Sequence, residues 1–174
     1  MQLQSTCIEN SVTTHIESPQ DAIAIERLYE DAIGAVRFTR AAHFLRGQTP
    51  HRPELSFVAK MDGHIRASVR LTDILVGDAP LMLLGPLVVE PVYKRQGLGR
   101  LMMQTAIAAA DAHQVPAILL VGDAPYYGRF GFEHVPENHI FMPAPTDPNR
   151  ILIRPGTQPA SDFLGVAQAL QPLG

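Results

Sequence analysis

The chain has 174 residues, enough for one domain with an adequate core, so a single domain over residues 1–174 is expected. With 46% hydrophobic and 18% charged residues it reads as a folded globular protein, not a disordered one. A net charge of −3, with no basic run beyond Lys94-Arg95, lacks the broad footprint of a nucleic-acid binder.

Cys7 is the only cysteine, which excludes an internal disulfide and gives a cysteine-based zinc site no support. The longest apolar run, Leu81 to Val89, is far shorter than a bilayer span and is broken by Gly85 and Pro86. The start of the chain, with Gln2, Gln4 and Glu9, lacks a secretory pattern, so a cytoplasmic location without a membrane partner is expected.

In chain order, Cys7 to Glu17 suits a first strand. Ser18-Pro19-Gln20-Asp21 then starts an amphipathic helix carrying Ile23, Ile25, Leu28, Tyr29 and Ile33 and ending near Gly34. Thr39 to Leu45 predicts a shorter helix, and Gln48 to Glu54, with Pro50 and Pro53, a loop. Leu55 to Met61 alternates, Asp62-Gly63 is a strong two-residue hairpin turn, and Ile65 to Leu75 is the return strand. Gly77-Asp78-Ala79-Pro80 turns the chain into the next strand.

The organising stretch follows. Leu83, Leu84, Leu87, Val88 and Val89 read as a buried strand, and Gly85 and Pro86 inside it predict a bulge or a splayed edge. After Glu90-Pro91-Val92-Tyr93 comes Lys94-Arg95-Gln96-Gly97-Leu98-Gly99-Arg100, then a helix whose apolar face carries Leu98, Leu101, Met102, Thr105, Ala106, Ala109 and Ala110. Strand, basic glycine-rich turn and helix suit a pyrophosphate cradle, although Gly-x-Gly alone serves equally as a tight turn. No P-loop is present, and Met102 stands where a third glycine would complete Gly-x-Gly-x-x-Gly.

The helix is expected to end near His113-Gln114, before a buried strand over Val115 to Val121 and the turn Gly122-Asp123-Ala124-Pro125. Tyr126-Tyr127 predicts a brief helix, Phe132 to Val135 a strand, and Phe141 with Ile151 to Ile153 the last sheet material. Seven of the 15 prolines fall from Pro136 onward, so this part is loop-rich, with one helical stretch near Phe163 to Leu170.

Two segments carry a resemblance. Leu87-Val88-Val89-Glu90-Pro91, followed by the turn ending Gly97-Leu98-Gly99, resembles the acyl-CoA signature of the GNAT superfamily of N-acetyltransferases, Gln/Arg-x-x-Gly-x-Gly/Ala. Lys94 stands at its first position and keeps the charge without the planar fork of arginine. Tyr126-Tyr127-Gly128-Arg129-Phe130-Gly131-Phe132 is similar to the family's Tyr-x-x-x-Gly-Phe segment.

The resemblance implies an α/β (α+β) fold, with a mixed, mostly antiparallel central sheet of about six to seven strands flanked by helices and splayed at the acetyl-CoA site. It also implies acetyl-CoA as acyl donor, a primary amine on a small molecule or protein as acceptor, and a family in which homodimers are common; the single cysteine and the histidine spacing, read by themselves, lead to an expectation of no metal. By the same resemblance Leu87, Val88 and Val89 line the pantetheine arm, Val88 and Val89 being the backbone donors to the acetyl carbonyl. Lys94, Arg95, Gln96, Gly97, Leu98, Gly99 and Arg100 take the pyrophosphate. Tyr127 protonates the CoA sulfur, and Tyr126 is structural.

Acetyl transfer to an amine needs a neutral amine, a placed thioester, oxyanion stabilisation and a proton for the thiolate. The general base is poorly marked: Glu90, Glu54 and Asp73 are candidates that read equally as solvated carboxylates, and a water relay needs none of them. His113, His134 and His139 form no His-x-x-x-His pair. Competing readings are a catalytically silent acyl-CoA-binding regulatory module and a nucleotide-binding domain of another kind. Acceptor specificity is expected from Thr39 to Pro53 and the tail from Pro136, with Glu54, Asp73 and Asp123 forming an acidic cleft if the fold gathers them.

Overall fold

The computed structural model describes residues 11–35 and 40–170; Cys7, the start of the first expected strand and Thr39 lie outside them. Asp62 and Gly63, at φ 52° and 77°, form the left-handed pair that suits a two-residue hairpin, joining β2 (Phe57–Met61) to β3 (His64–Val76). On one side β1 (Val12–Ile16) pairs with β2; on the other, β3 pairs with β4 (Ala79–Val89), all antiparallel. The sheet then continues through β5 (Ala117–Val121), β8 (Ile151–Pro155) and β6 (Glu133–His134) in the order β1-β2-β3-β4-β5-β8-β6. Among the described residues only β4 with β5, and the short β7 (Ile140–Phe141) with β9 (Gly165–Ala169), run parallel.

Among the described residues four helices flank the sheet: α1 (Ala22–Ala32), α2 (Ala41–Arg46), α3 (Leu98–Ala112) and α4 (Ala124–Tyr127). The apolar stripe of α3 buries Leu98, Met102, Met103, Ala106 and Ala110 against Phe57, Val69, Leu71, Met82 and Leu84. On the opposite face, α1 lays Ile25, Leu28 and Tyr29 over Val58 and Val88. Each fully buried large aliphatic or aromatic side chain contributes about 1.5–3 kcal/mol, so the two helices are held by the sheet more than by their own turns. A third cluster gathers around Phe163, with Leu83, Leu119 and Ile153.

The expected helix over Phe163 to Leu170 is instead strand β9. The cause is tertiary. β2 covers the edge of β3 only as far as Val69, which leaves Ile74 to Val76 open; Ala167 to Ala169 pair there and satisfy that edge. Among the described residues no helix is long and apolar enough to cross a membrane.

The interruption in β4 is a bulge. Val69 faces Leu87 and Leu71 faces Leu84, so Arg70 alone opposes Gly85 and Pro86, which are joined by a cis peptide. β4 and β5 are paired at Met82–Ile118 and Leu83–Leu119; beyond that point β4 stays with β3 while β5 stays with β8. The sheet therefore opens between β4 and β5 at the bulge.

Candidate active site

The opening begins where the glycine-rich turn enters α3. Gly97 caps the helix at φ 89°, a left-handed conformation that glycine adopts at no steric cost, and Arg95 is also left-handed at φ 62°. Leu101 N–H bonds the Gly97 carbonyl at 3.0 Å, which leaves the N–H groups of the preceding turn without intrahelical acceptors. Lys94, Arg95 and Arg100 are exposed, and among the described residues none is paired with a carboxylate. Free N–H groups, the positive end of a helix and uncompensated cations are the features that suit a turn to an anion. Gln96 is turned away, its side-chain amide donating to the Val92 carbonyl at 3.1 Å.

Along the parted strand, Glu90 N–H donates to the Arg66 carbonyl at 2.8 Å, and Val88 lies opposite Ser68. Two-residue alternation directs Val88 N–H toward β3 as well, and turns Leu87 and Val89 N–H into the opening. Of the two expected backbone donors, Val89 therefore directs its N–H into the cleft and Val88 directs its N–H toward β3; the Leu87 N–H also faces the cleft. Side chains follow the same alternation, Leu87 and Val89 packing on the α3 side and Val88 under α1.

Tyr127 forms the far wall. A cavity of about 380 Å³ is lined by Leu84, Gly85, Pro86 and Leu87 on one side and Leu120, Val121 and Tyr127 on the other. The Tyr127 ring lies edge-on to Tyr126 at 4.8 Å and to Phe132 at 6.1 Å. It also lies so close to Gly122 that a Cβ at that position would overlap it. Burial, with lesser contributions from Tyr126 and Asp123, pushes the Tyr127 phenol up to about 12, so it stays protonated at any ordinary pH. Tyr126 packs instead at the start of α3, under Arg129 and against Phe130, its hydroxyl 2.9 Å from where a Cβ of Gly99 would be.

On the α1 side of the bulge lies a second cavity of about 260 Å³, lined by Tyr29, Arg46, His51, Arg70, Thr72 and Pro86 among others. Arg46 and Pro86 line both cavities. A buried network stiffens this wall: Arg70 holds Glu17 through two hydrogen bonds of 2.8 and 2.6 Å, and His51 Nε2 lies 3.3 Å from the same carboxylate. Burial alone would raise Glu17, but the hydrogen bonds from His51 and Arg70, with their charges, outweigh it and bring the carboxyl down to about 2.

The carboxylates singled out as candidate bases are occupied elsewhere. Glu90 pairs with Arg66 at 2.7 Å, Glu54 with Arg52 at 2.9 Å, and Asp73 with the same Arg52 at 3.5 Å. Asp123 pairs with Arg150 at 3.3 Å, so the three acidic residues expected to share a cleft are split between two arginines and form none. Arg46, Arg70, Glu17 and His51 were missed, because each is distinguished only by neighbours on other elements: Glu17, Arg70 and His51 by one another, and Arg46 by the bulge at Gly85.

A parted β4–β5 pair, a basic glycine-rich helix start and a tyrosine across the gap are the layout of an acyl-CoA-type transferase scaffold. The family model described as "Acetyltransferase (GNAT) family" matches residues 22–132, and the chain belongs to that family. YjhQ of Escherichia coli K12, described as an uncharacterized N-acetyltransferase, is 30% identical over 125 residues, covering 70% of this chain and 69% of that protein. The crystal structure of the GNAT family N-acetyltransferase YhbS from Escherichia coli in complex with CoA matches with a TM-score of 0.76 at 22% identity, over 91% of this chain and 89% of that one. A GNAT family acetyltransferase from Brucella melitensis in complex with acetyl-CoA matches with a TM-score of 0.58 at 25% identity, over 88% and 99%.

Proposed function

We propose that this chain is an acetyl-CoA-dependent N-acetyltransferase that passes the acetyl group directly to a primary amine within a ternary complex. The observation that carries the proposal is the opening between β4 and β5. At one end stand the unpaired cations and free N–H groups of the α3 start, and on its wall stands Tyr127, whose hydroxyl has no hydrogen-bond partner among the described residues. CoA in YhbS and acetyl-CoA in the Brucella protein, on the same fold, support the choice of donor.

In this reading the pyrophosphate rests on residues 94–100 and the pantetheine arm extends along β4. The neutral amine attacks the thioester carbon from the second cavity, and the carbonyl oxygen takes its developing charge against the N–H groups of Leu87 and Val89. The C–N bond forms, the C–S bond breaks, and the Tyr127 hydroxyl hydrogen-bonds and protonates the departing thiolate; the proton lost by the amine leaves through water.

Thermal unfolding with acetyl-CoA, CoA and ADP tests the donor site. A ligand at 100 times its Kd stabilises by about 2.7 kcal/mol, which for a chain of this size raises Tm by roughly 5–10 °C. Acetyl-CoA is expected to give a shift of that size and ADP a much smaller one. No shift at saturating acetyl-CoA would refute the proposal.

A further inference from the structure

Arg46 is the one guanidinium facing the second cavity that has no hydrogen bond or ion pair among the described residues; its neighbour Arg70 is neutralised by Glu17. It is mostly enclosed by protein, and its Nη1 lies 3.1 Å from where a Cβ of Gly85 would be, which places the guanidinium directly over the bulge. Burial, reinforced by the charges of Arg40 and Arg70, pulls Arg46 down to about 10, still fully charged at neutral pH. A charge held in such a place without a counterion is costly unless a ligand supplies one. In the same cavity, Thr72 Oγ1 is buried and also lacks a hydrogen-bond partner among the described residues.

We infer that the acceptor is a small amino acid whose carboxylate is bound by Arg46, with the Thr72 hydroxyl as a second contact. The inference rests on the donor assignment above and names the acceptor class for that site. A carboxylate matches the planar fork of arginine bidentately. The acceptor is small because about 260 Å³ falls below the roughly 300–1,000 Å³ of drug-sized pockets. Its carboxylate stands close to its amine because Arg46 and Pro86 mark the boundary with the acetyl cavity, where the nitrogen has to reach the thioester. α- and β-amino acids satisfy both conditions. The positive charge beside the amine also disfavours its protonated form, which the reaction must avoid.

The test is thiol release from acetyl-CoA with matched acceptors: the common α-amino acids and β-alanine, the amide of each, and the corresponding amine without a carboxyl group. In the wild type, kcat/KM for the favoured acid should exceed that for its amide by at least about tenfold, as a charge-assisted hydrogen bond requires. Arg46→Met should bring that ratio near one while retaining stabilisation by acetyl-CoA, and Arg46→Lys, which keeps the charge, should retain part of the preference. The inference is overturned if amides or plain amines are used as well as acids, if no carboxylate-bearing acceptor is turned over, or if Arg46→Met keeps the wild-type ratio. An equal loss for every acceptor in Arg46→Met would place Arg46 at the acyl carbonyl and likewise overturn it. Lack of acetyl-CoA stabilisation in the wild type would reject the donor assignment, and this inference with it, and is read separately from the acceptor ratios.

Discussion

Glu17→Gln tests whether the buried wall of the second cavity is an ionic lock. The carboxyl lies at about 2 against an ordinary 4.5, and its side chain is only 5% exposed, so solvent screening is small. At about 1.4 kcal/mol per tenfold step in proton affinity, the difference is worth about 3 kcal/mol. Because the folded value is depressed, this stability is present in full above the unfolded value and is lost as pH falls from about 4.5 toward 2; by pH 3 about 2 kcal/mol of it has gone. Urea unfolding of the wild type and of Glu17→Gln between pH 7 and pH 3 reads it directly. Near pH 7 the variant should be less stable by about 3 kcal/mol or more, since Arg70 is left partly buried without a counter-charge. The gap between the two proteins should narrow by about 2 kcal/mol at pH 3. A gap that stays constant with pH would show that Glu17 acts through packing and not through its charge.

Tyr127→Phe should lower kcat by about a hundredfold or more with acetyl-CoA affinity little changed. Since burial pushes this phenol up to about 12, any basic limb in the wild-type rate profile below pH 11 should survive in the variant; its disappearance would show that the phenol titrates lower than its burial implies. Gly122→Ala should displace the Tyr127 ring, costing about 1–3 kcal/mol in urea unfolding and lowering kcat as well; an alanine variant with normal stability and turnover would mean that the ring is not fixed there. Initial rates at varied acetyl-CoA and acceptor should give intersecting double-reciprocal lines, whereas parallel lines would indicate an acetylated enzyme instead of a ternary complex.

Much of the scaffold was legible because it is written in local chemistry. Asp62-Gly63 can hardly be anything but a tight turn between alternating runs, Gly85 and Pro86 interrupt an otherwise apolar strand, and the stripe from Leu98 to Ala110 has helical spacing. β9 was not legible, since Val166 to Ala169 has no strong preference of its own and is extended only because Ile74 to Val76 offers an open edge. The acidic-cleft expectation failed for a related reason: Glu54, Asp73 and Asp123 carry the right charge, but Arg52 and Arg150 neutralise them from other parts of the chain. Arg46 ends a short helix and reads locally as an ordinary surface cation; its meaning depends on contact with the bulge at Gly85.

The bulge connects these features. A regular β4 would continue its pairing beside β5 and would leave no gap for the acyl arm, nor would it turn Leu87 and Val89 N–H toward open space. The same irregularity sets Arg70 alone against two residues, which directs its guanidinium into the Glu17–His51 network on the α1 side. Pro86 consequently stands between a cavity walled by Tyr127 and one walled by Arg70 and Thr72, and Arg46 spans the same boundary. On the proposed function, donor and acceptor meet at that boundary. Among the described residues, the two that the cavities share are an arginine and a proline, neither of them a nucleophile, and the nearby phenol is held protonated. On the proposed function this arrangement suits direct attack, and Arg46 at the boundary and Tyr127 behind it are the two residues whose variants test it.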